Sequence, residues 1–439
     1  MPSLKFFGKS VVILLTLFLL TSSVIIPPSN TDNVAVIVTD DHIDKSLAHE
    51  NKAKTYTIYH QALKEALADY FNKAIAKGDI VGVGVSIVKG DSIEISEGFG
   101  KRNIKNNLVV DGETVFRLGS LSKGFAGVLA AYLNCEGELD WSDRVSDYIP
   151  EFKFGDQNNT DQITLATILS HTSGAPYHSY TNLVEEGLSL TEIASRFQDV
   201  KPLDKPSHTY SYQNAMFALC GEMMYQETGQ DIKTLLNTTF FEPLNMVHIS
   251  MNYDDLAQNE NVAMPYSKKR YGWRSLKLNH NYYNAVAAGG INASAADMTK
   301  WMELLLGHHP EIMDRSALQE AFNPFIKIGG RSKYYQRWPG HVNSYYGFGW
   351  RIHTFKEKGA TEEKTMYHHG GSVNNYRNEI ALYPEDDLGI CVLLNSNSKL
   401  AKHVIPDLYD LVKKVFEDYQ DQKDINTINL ALVDSNSIH

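Results

Sequence analysis

Phe116-Arg117-Leu118-Gly119-Ser120-Leu121-Ser122-Lys123 opens an apolar helix, residues 121–136, with Phe125, Val128, Leu129, Tyr132 and Leu133 at helical spacing. A serine hydroxyl is a weak nucleophile and needs a base beside it. A lysine three residues on reaches it only when both lie on one helical turn. At a helix start, free backbone N–H groups can also stabilise a developing oxyanion, and the positive helix end favours the unprotonated amine. Ser120 and Lys123 meet these terms. Ser86 and Lys89 have the same spacing but lie in a stretch that reads as a strand, where positions three apart point to opposite faces. Ser396 and Lys399 lie in a polar strand-to-helix loop that suits local capping. Ser120 is equally a good N-cap residue, and on these residues alone the nucleophile and N-cap readings both stand.

Working outward, Leu63, Leu67, Tyr70, Phe71 and Ala74 share one helical face, closed by Gly78. Val81–Val88 reads as a strand, residues 89–91 as a turn and Ser92–Ser96 as the hairpin partner. Gly82 and Gly84 lack the third glycine and the following helix of a dinucleotide site. Residues 140–285 read as mostly helix and loop, including 163–169 and 215–224. Ala295–Leu306 reads as a helix. Glu379–Tyr383 and Gly389–Leu394 read as strands, followed by a helix at His403–Asp418. Hairpins at both ends with helices between them predict an α+β fold. Its antiparallel sheet is built from the N- and C-terminal segments, flanked by helices, with a mostly helical inserted region.

The chain of 439 residues is 43% hydrophobic, enough for a large core, and carries a net charge of -11. That acidity argues against nucleic acid as partner, since binding phosphates needs clustered Lys and Arg. The basic run Lys268-Lys269-Arg270 reads as a solvated loop. Cys135, Cys220 and Cys391 sit in apolar context and read as buried thiols. His368-His369 and His308-His309 have no partners at metal spacing, so neither a metal nor a cofactor is expected. Lys5 and Lys9 precede an apolar run through Leu20, which resumes at residues 24–26. Residues 1–26 therefore read as a signal peptide or an uncleaved membrane anchor, which places the rest outside the cytoplasm. Residues 27–55 read as a polar linker, 56–419 as the folded domain and 420–439 as a polar tail.

Five segments in order resemble the beta-lactamase-related serine hydrolases, which include class C beta-lactamases, DD-peptidases, D-aminopeptidases and esterases of the penicillin-recognising fold. These are the Ser120 segment, Leu169-Ser170-His171-Thr172-Ser173-Gly174, the loop from Pro206 to Asn214, the stretch from Ala288 to Asp297, and His369-Gly370-Gly371. The resemblance covers roughly residues 62 to 400. It implies an acyl-enzyme on Ser120, with Lys123 and Tyr212 sharing the work of the base and Asn214 binding substrate. His369 and Gly370 would line the site on a strand. The backbone N–H of Ser372 would complete an oxyanion hole with that of Ser120, and Gly371 would leave room for substrate. Histidine replaces the lysine of the family's Lys-Thr-Gly form, and its charge changes between pH 5 and 8 when unperturbed. Implied substrates are small amides, esters or peptides. Peptidase or esterase action ranks ahead of beta-lactamase or DD-carboxypeptidase action on cell-wall peptides. A non-catalytic binding module on the same fold is the reading from another class; its sign would be a lost Ser, Lys or Tyr.

Overall fold

A computed structural model describes residues 40–90 and 93–419. The expected leader at 1–26, most of the expected linker and the tail at 420–439 lie outside the described residues. The chain divides into two units, Met1–Lys52 and Ala53–His439, and the sheet, core and site belong to the second. The first helix, Asp40–Ala76, begins inside the stretch read as a linker. Its early turns lack an apolar stripe, so periodicity cannot reveal them. They also lack Pro and Gly and are rich in Ala, Lys and Leu, which suffices for a helix.

Thirteen strands follow. They are β1 (Gly82–Lys89), β2 (Ile93–Asn103), β3 (Leu108–Val109), β4 (Phe116–Arg117), β5 (Tyr266–Lys269), β6 (Gly272–Ser275), β7 (Asn292–Ala293), β8 (Ile326–Lys327), β9 (His341–Tyr346), β10 (Arg351–Phe355), β11 (Lys364–Val373), β12 (Tyr376–Tyr383) and β13 (Leu388–Leu394). Nine form one antiparallel sheet in the order β3-β2-β1-β13-β12-β11-β10-β9-β8. The two ends of the chain thus meet inside the sheet, where β1 pairs with β13 from Val83↔Leu394 to Lys89↔Leu388.

Strand alternation assigns the two faces. Val83, Val85, Ile87, Ile390, Val392 and Leu394 pack with Leu63, Leu67 and Phe71 of the first helix and Leu408 and Val412 of the last, 404–419. Cys391 and Leu393 face the other way, into the core of the helical region, with Phe125, Leu129, Phe217 and Trp301. That region holds the helices Ser122–Cys135, Asn214–Thr228 and Ala295–Leu306. Cys220 and Cys391 are buried as expected, but Cys135 is exposed. It is the last residue of its helix, two residues beyond the buried Leu133.

The helix Ser122–Cys135 presses on the segment between β9 and β10. A β-carbon at Gly127 would strike the Phe348 carbonyl, and one at Gly124 would lie 2.6 Å from the Trp350 ring. Trp350 Nε1 donates to Gly124 O at 3.3 Å. Glycine here permits close approach of two backbones, which ties the sheet to the helix that follows Ser120.

Candidate active site

Gly119 adopts a φ of +57°, a conformation that favours glycine, and starts a single 3-10 turn, Gly119–Leu121. The α-helix starts at Ser122, and neither turn nor helix has a side-chain cap. The Ser120 hydroxyl is therefore not spent as an N-cap. It is half-buried and opens on a cleft of about 390 Å³ that Tyr212 also lines. β11 closes on this turn. A β-carbon on Gly119 would come within 2.9 Å of the Ser372 backbone, and one on Gly371 would strike the Leu118 carbonyl. The space that Gly371 leaves is thus filled by the protein's own turn.

Lys123 is wholly buried behind the cleft. Its Nζ donates to Asn214 Oδ1 at 2.8 Å and to Ala288 O at 2.7 Å. The Ala288-Gly289-Gly290 turn aims that carbonyl, and it is fastened by Ile291 N donating to Ser122 Oγ at 3.1 Å. A β-carbon on Gly289 would meet the Tyr282 ring at 2.9 Å, which explains the glycine. Asn214 Nδ2 donates in turn to Tyr282 Oη at 3.1 Å. Burial, and then the positive Arg351, hold the Lys123 amine well below the usual lysine range. Burial pushes the Tyr212 phenol up to about 12, while Arg351 and the Ser120 hydroxyl pull the other way. The Lys123 Nζ stands 4.9 Å from the Tyr212 ring centroid.

His171 packs on the same group, with its ring centroid 4.1 Å from that of Tyr212. Its Nδ1 accepts from Gln213 N at 3.1 Å, so Nε2 carries the hydrogen. Burial first, then Lys123 and Arg351, keep it uncharged. Its motif therefore holds the Tyr212 loop.

On the sheet wall, Gly370 and Ser372 line the cleft, while His369 and Gly371 sit behind it. His369 Nδ1 meets Gly370 O at 2.9 Å, and its Nε2 meets Tyr346 Oη at 3.0 Å. Full burial, then Arg351 and Lys123, hold the ring well below the ordinary histidine value. The expectation that His369 changes charge between pH 5 and 8 is thereby corrected, because neither water nor a carboxylate supports the imidazolium.

Sequence reasoning missed the rest of this wall. Arg351, Lys333, Tyr334 and Arg377 all line the cleft. Glu379 is buried under it and joins Arg377 at 2.7 Å, His368 at 2.9 Å and Tyr334 at 2.8 Å. A larger groove of about 1180 Å³ lies between the two terminal helices and contains none of these groups. Among the described residues no three His, Cys, Asp or Glu side chains form a set able to hold a metal ion.

Comparison with known families agrees with this geometry. The family model described as Beta-lactamase matches residues 67–412. The chain belongs to the beta-lactamase family. Members of this family are generally serine hydrolases, and the antiparallel sheet with its helical region is the family's fold. A structural neighbour, the octameric penicillin-binding protein homologue from Pyrococcus abyssi, superposes with a TM-score of 0.66. It shares 23% identity, over 78% of this chain and 77% of that one. Protein flp of Staphylococcus aureus is 24% identical over 365 residues, which is 81% of this chain and 69% of flp. Unguisins hydrolase ungD of Aspergillus violaceofuscus is 24% identical over 352 residues, covering 74% of this chain and 60% of that protein.

Proposed function

We propose that this beta-lactamase-family protein hydrolyses an amide or ester through an acyl-enzyme on Ser120. One observation carries the reading: the Ser120 hydroxyl is free of capping and opens on the same cleft as Tyr212, beside a buried lysine whose hydrogen bonds are already donated. A neutral amine has two N–H bonds and one lone pair. Asn214 Oδ1 and Ala288 O take both N–H groups, which leaves the lone pair to accept a proton. Burial favours that neutral amine, and it favours a protonated Tyr212 phenol.

Ser120 Oγ gives its proton to Lys123 and bonds to the carbonyl carbon. The backbone N–H groups of Ser120 and Ser372 stabilise the oxyanion. Tyr212 protonates the leaving amine or alkoxide as the acyl bond breaks, and Lys123 restores the phenol's proton. Water then attacks the acyl carbon, its proton passes through the same pair, and Ser120 Oγ leaves with a proton. The resting site thus has a base and an acid in place at neutral pH.

His369-Gly370-Gly371 stands where the family's Lys-Thr-Gly form has a lysine, which supports ranking a peptidase or esterase role ahead of beta-lactam or cell-wall DD-carboxypeptidase action. A relative named as a hydrolase supports turnover over a binding-only role. Incubation with a fluorophosphonate and with a fluorescent penicillin, followed by mass spectrometry, tests the reading. Ser120 is the expected labelled residue, and Ser120→Ala should remove both label and ester turnover, by roughly a thousandfold or more as for a lost nucleophile. Retained turnover in Ser120→Ala would overturn it.

A further inference from the structure

Asn214 stands between Lys123 and the cleft, and its side chain is an amide whose two ends have nearly the same shape. One end accepts a hydrogen bond and the other donates, so the end that faces Lys123 decides what the lysine can do. Its Oδ1 faces the amine and accepts from Nζ at 2.8 Å. Turned over, its Nδ2 would donate into the lone pair that the proposed base needs. The buried amide must therefore be held the first way round.

Nδ2 meets Tyr282 Oη at 3.1 Å, and Thr181 Oγ1 and His178 Nδ1 at 3.4 Å. Thr181 and His178, themselves 3.1 Å apart, can donate or accept at those atoms and suit either orientation. Tyr282 differs because its own hydrogen is claimed. Its Oη donates to Glu185 Oε1 at 3.4 Å. A carboxylate only accepts, so the phenol oxygen is left to accept from Asn214. Burial, then Glu185, push the Tyr282 phenol up, so it keeps that hydrogen. Glu185 lies in the last turn of the helix Thr181–Glu186, and both residues line the cleft. The chain holds Tyr282 at a φ of +73°, a left-handed conformation that a bulky residue rarely adopts. A β-carbon on Gly289 would lie 2.9 Å from its ring, and one on Gly290 would lie 2.5 Å from its carbonyl oxygen. The turn that carries Ala288 O, the other acceptor of Lys123, is thus shaped around Tyr282. Strained backbone of this kind persists only where its surroundings enforce it, and it gathers at functional sites.

We infer that Tyr282 and Glu185 are positioning residues, which together fix the end of the Asn214 amide that faces Lys123. The polarity runs inward from the cleft. Glu185 takes the phenol hydrogen, Tyr282 takes an amide hydrogen, Asn214 takes an amine hydrogen, and the lone pair of Lys123 stays free. Both residues act through Asn214 and not on the substrate. This inference rests on the acyl-enzyme reading above, with Lys123 as its base, and adds two residues to that machinery.

Hydrolysis of 4-nitrophenyl butyrate, an uncharged ester, tests it on the full chain. Tyr282→Phe keeps the ring and loses the acceptor, so the amide is free to turn. Its kcat should fall roughly tenfold, the weight of one hydrogen bond, with KM within about twofold of the wild type. Glu185→Lys reverses the polarity, because an ammonium only donates, and should lower kcat as far. Glu185→Gln can still accept and should lose less. Both sites act through one phenol, so Glu185→Lys should cost little further kcat once Tyr282→Phe is in place. A merely structural tyrosine would give losses that multiply. A kcat within about twofold of the wild type in Tyr282→Phe, a loss carried by KM alone, or multiplying losses in the double variant overturns the assignment. Glu185 is exposed, so its variants carry the test should Tyr282→Phe not fold, and an unchanged kcat in Glu185→Lys overturns the assignment as well. Any of these results with Ser120 labelled by the fluorophosphonate sinks this inference alone. An unlabelled Ser120 in the wild type sinks the acyl-enzyme reading, and this inference with it.

Discussion

The two walls of the cleft treat their cations differently. On the helical wall, Lys123 is buried against Asn214 Oδ1 and Ala288 O, and Asn214 is itself held by Tyr282. On the sheet wall, Arg351 keeps two enclosed N–H groups without acceptors, while the histidines around it are held uncharged. A group that moves a proton needs one fixed orientation and a lone pair aimed at its partner. A group that recognises a ligand needs donors left unspent. Under the proposed function the contrast would divide the labour, with covalent chemistry on the helical wall and recognition on the sheet wall.

The largest effect expected concerns the uncharged histidines. His171, His353, His368 and His369 are each depressed well below 6.5, with burial the first cause. Below pH 6.5 the unfolded chain binds protons that the folded chain refuses, so their contribution is present at high pH and fades as pH falls. Glu379 acts in the opposite sense. Burial raises its carboxyl to about 6, so its contribution is present in acid and is lost as pH rises through that value. The histidines outnumber Glu379, so net stability should fall as pH drops from 7 to 5. Urea unfolding midpoints across that range read the loss directly. A flat profile would mean that the sheet wall accepts protons when folded, and the contrast between the walls would fail.

Next in size is Lys123→Arg. Guanidinium cannot give up a proton to act as the base, so ester turnover should fall by roughly a hundredfold or more, the usual span for a lost general base. Circular dichroism checks that the fold survives. A loss under tenfold would move the base's role to Tyr212 and blur the division between walls. The smallest effect tests how firmly the walls are joined. Gly127→Ala drives a methyl group into the Phe348 carbonyl and should cost about 2 kcal/mol, within the usual range for overpacking. A shift in the urea midpoint equivalent to less than about 0.5 kcal/mol would show that the helix yields and that the junction does not fix Arg351.

Much of this was legible in the residues, for physical reasons that vary by region. Val83, Val85 and Ile87 alternate cleanly, and Ala295–Leu306 has a capping box at Ser294 and a Gly307 stop, so periodicity and caps define both. Ser120 and Lys123 were separable from the other two Ser-x-x-Lys pairs by helical context. Ser86 instead donates to Ala295 O at 2.6 Å, as a strand serine under a helix. β9 and β10 escaped notice because His341–Tyr346 and Arg351–Phe355 mix polar and aromatic residues with no apolar alternation. Arg351 was invisible for a related reason: a lone arginine after a tryptophan has no local pattern. The available signal was the pair Gly124 and Gly127 on one helix facing Phe348-Gly349-Trp350 on one turn, which betrays two backbones in contact only once the pairing is known.

The junction of β1 with β13 joins residues roughly three hundred positions apart, in the middle of the sheet that backs the cleft. During synthesis, the first hairpin is complete long before its inner neighbour exists. Until β13 emerges, β1 on one side and β12 on the other are open edges, with Val83, Val85 and Ile87 bare to any passing strand. Closing so long a loop is slow, though its entropic cost grows only gently with length. A chain cut short before residue 388 would hold Ser120, Lys123 and Tyr212 but lack the strand that joins β1 to β12. Until β13 is made, the two halves of the sheet stay apart, and the chain depends on whatever shields their edges.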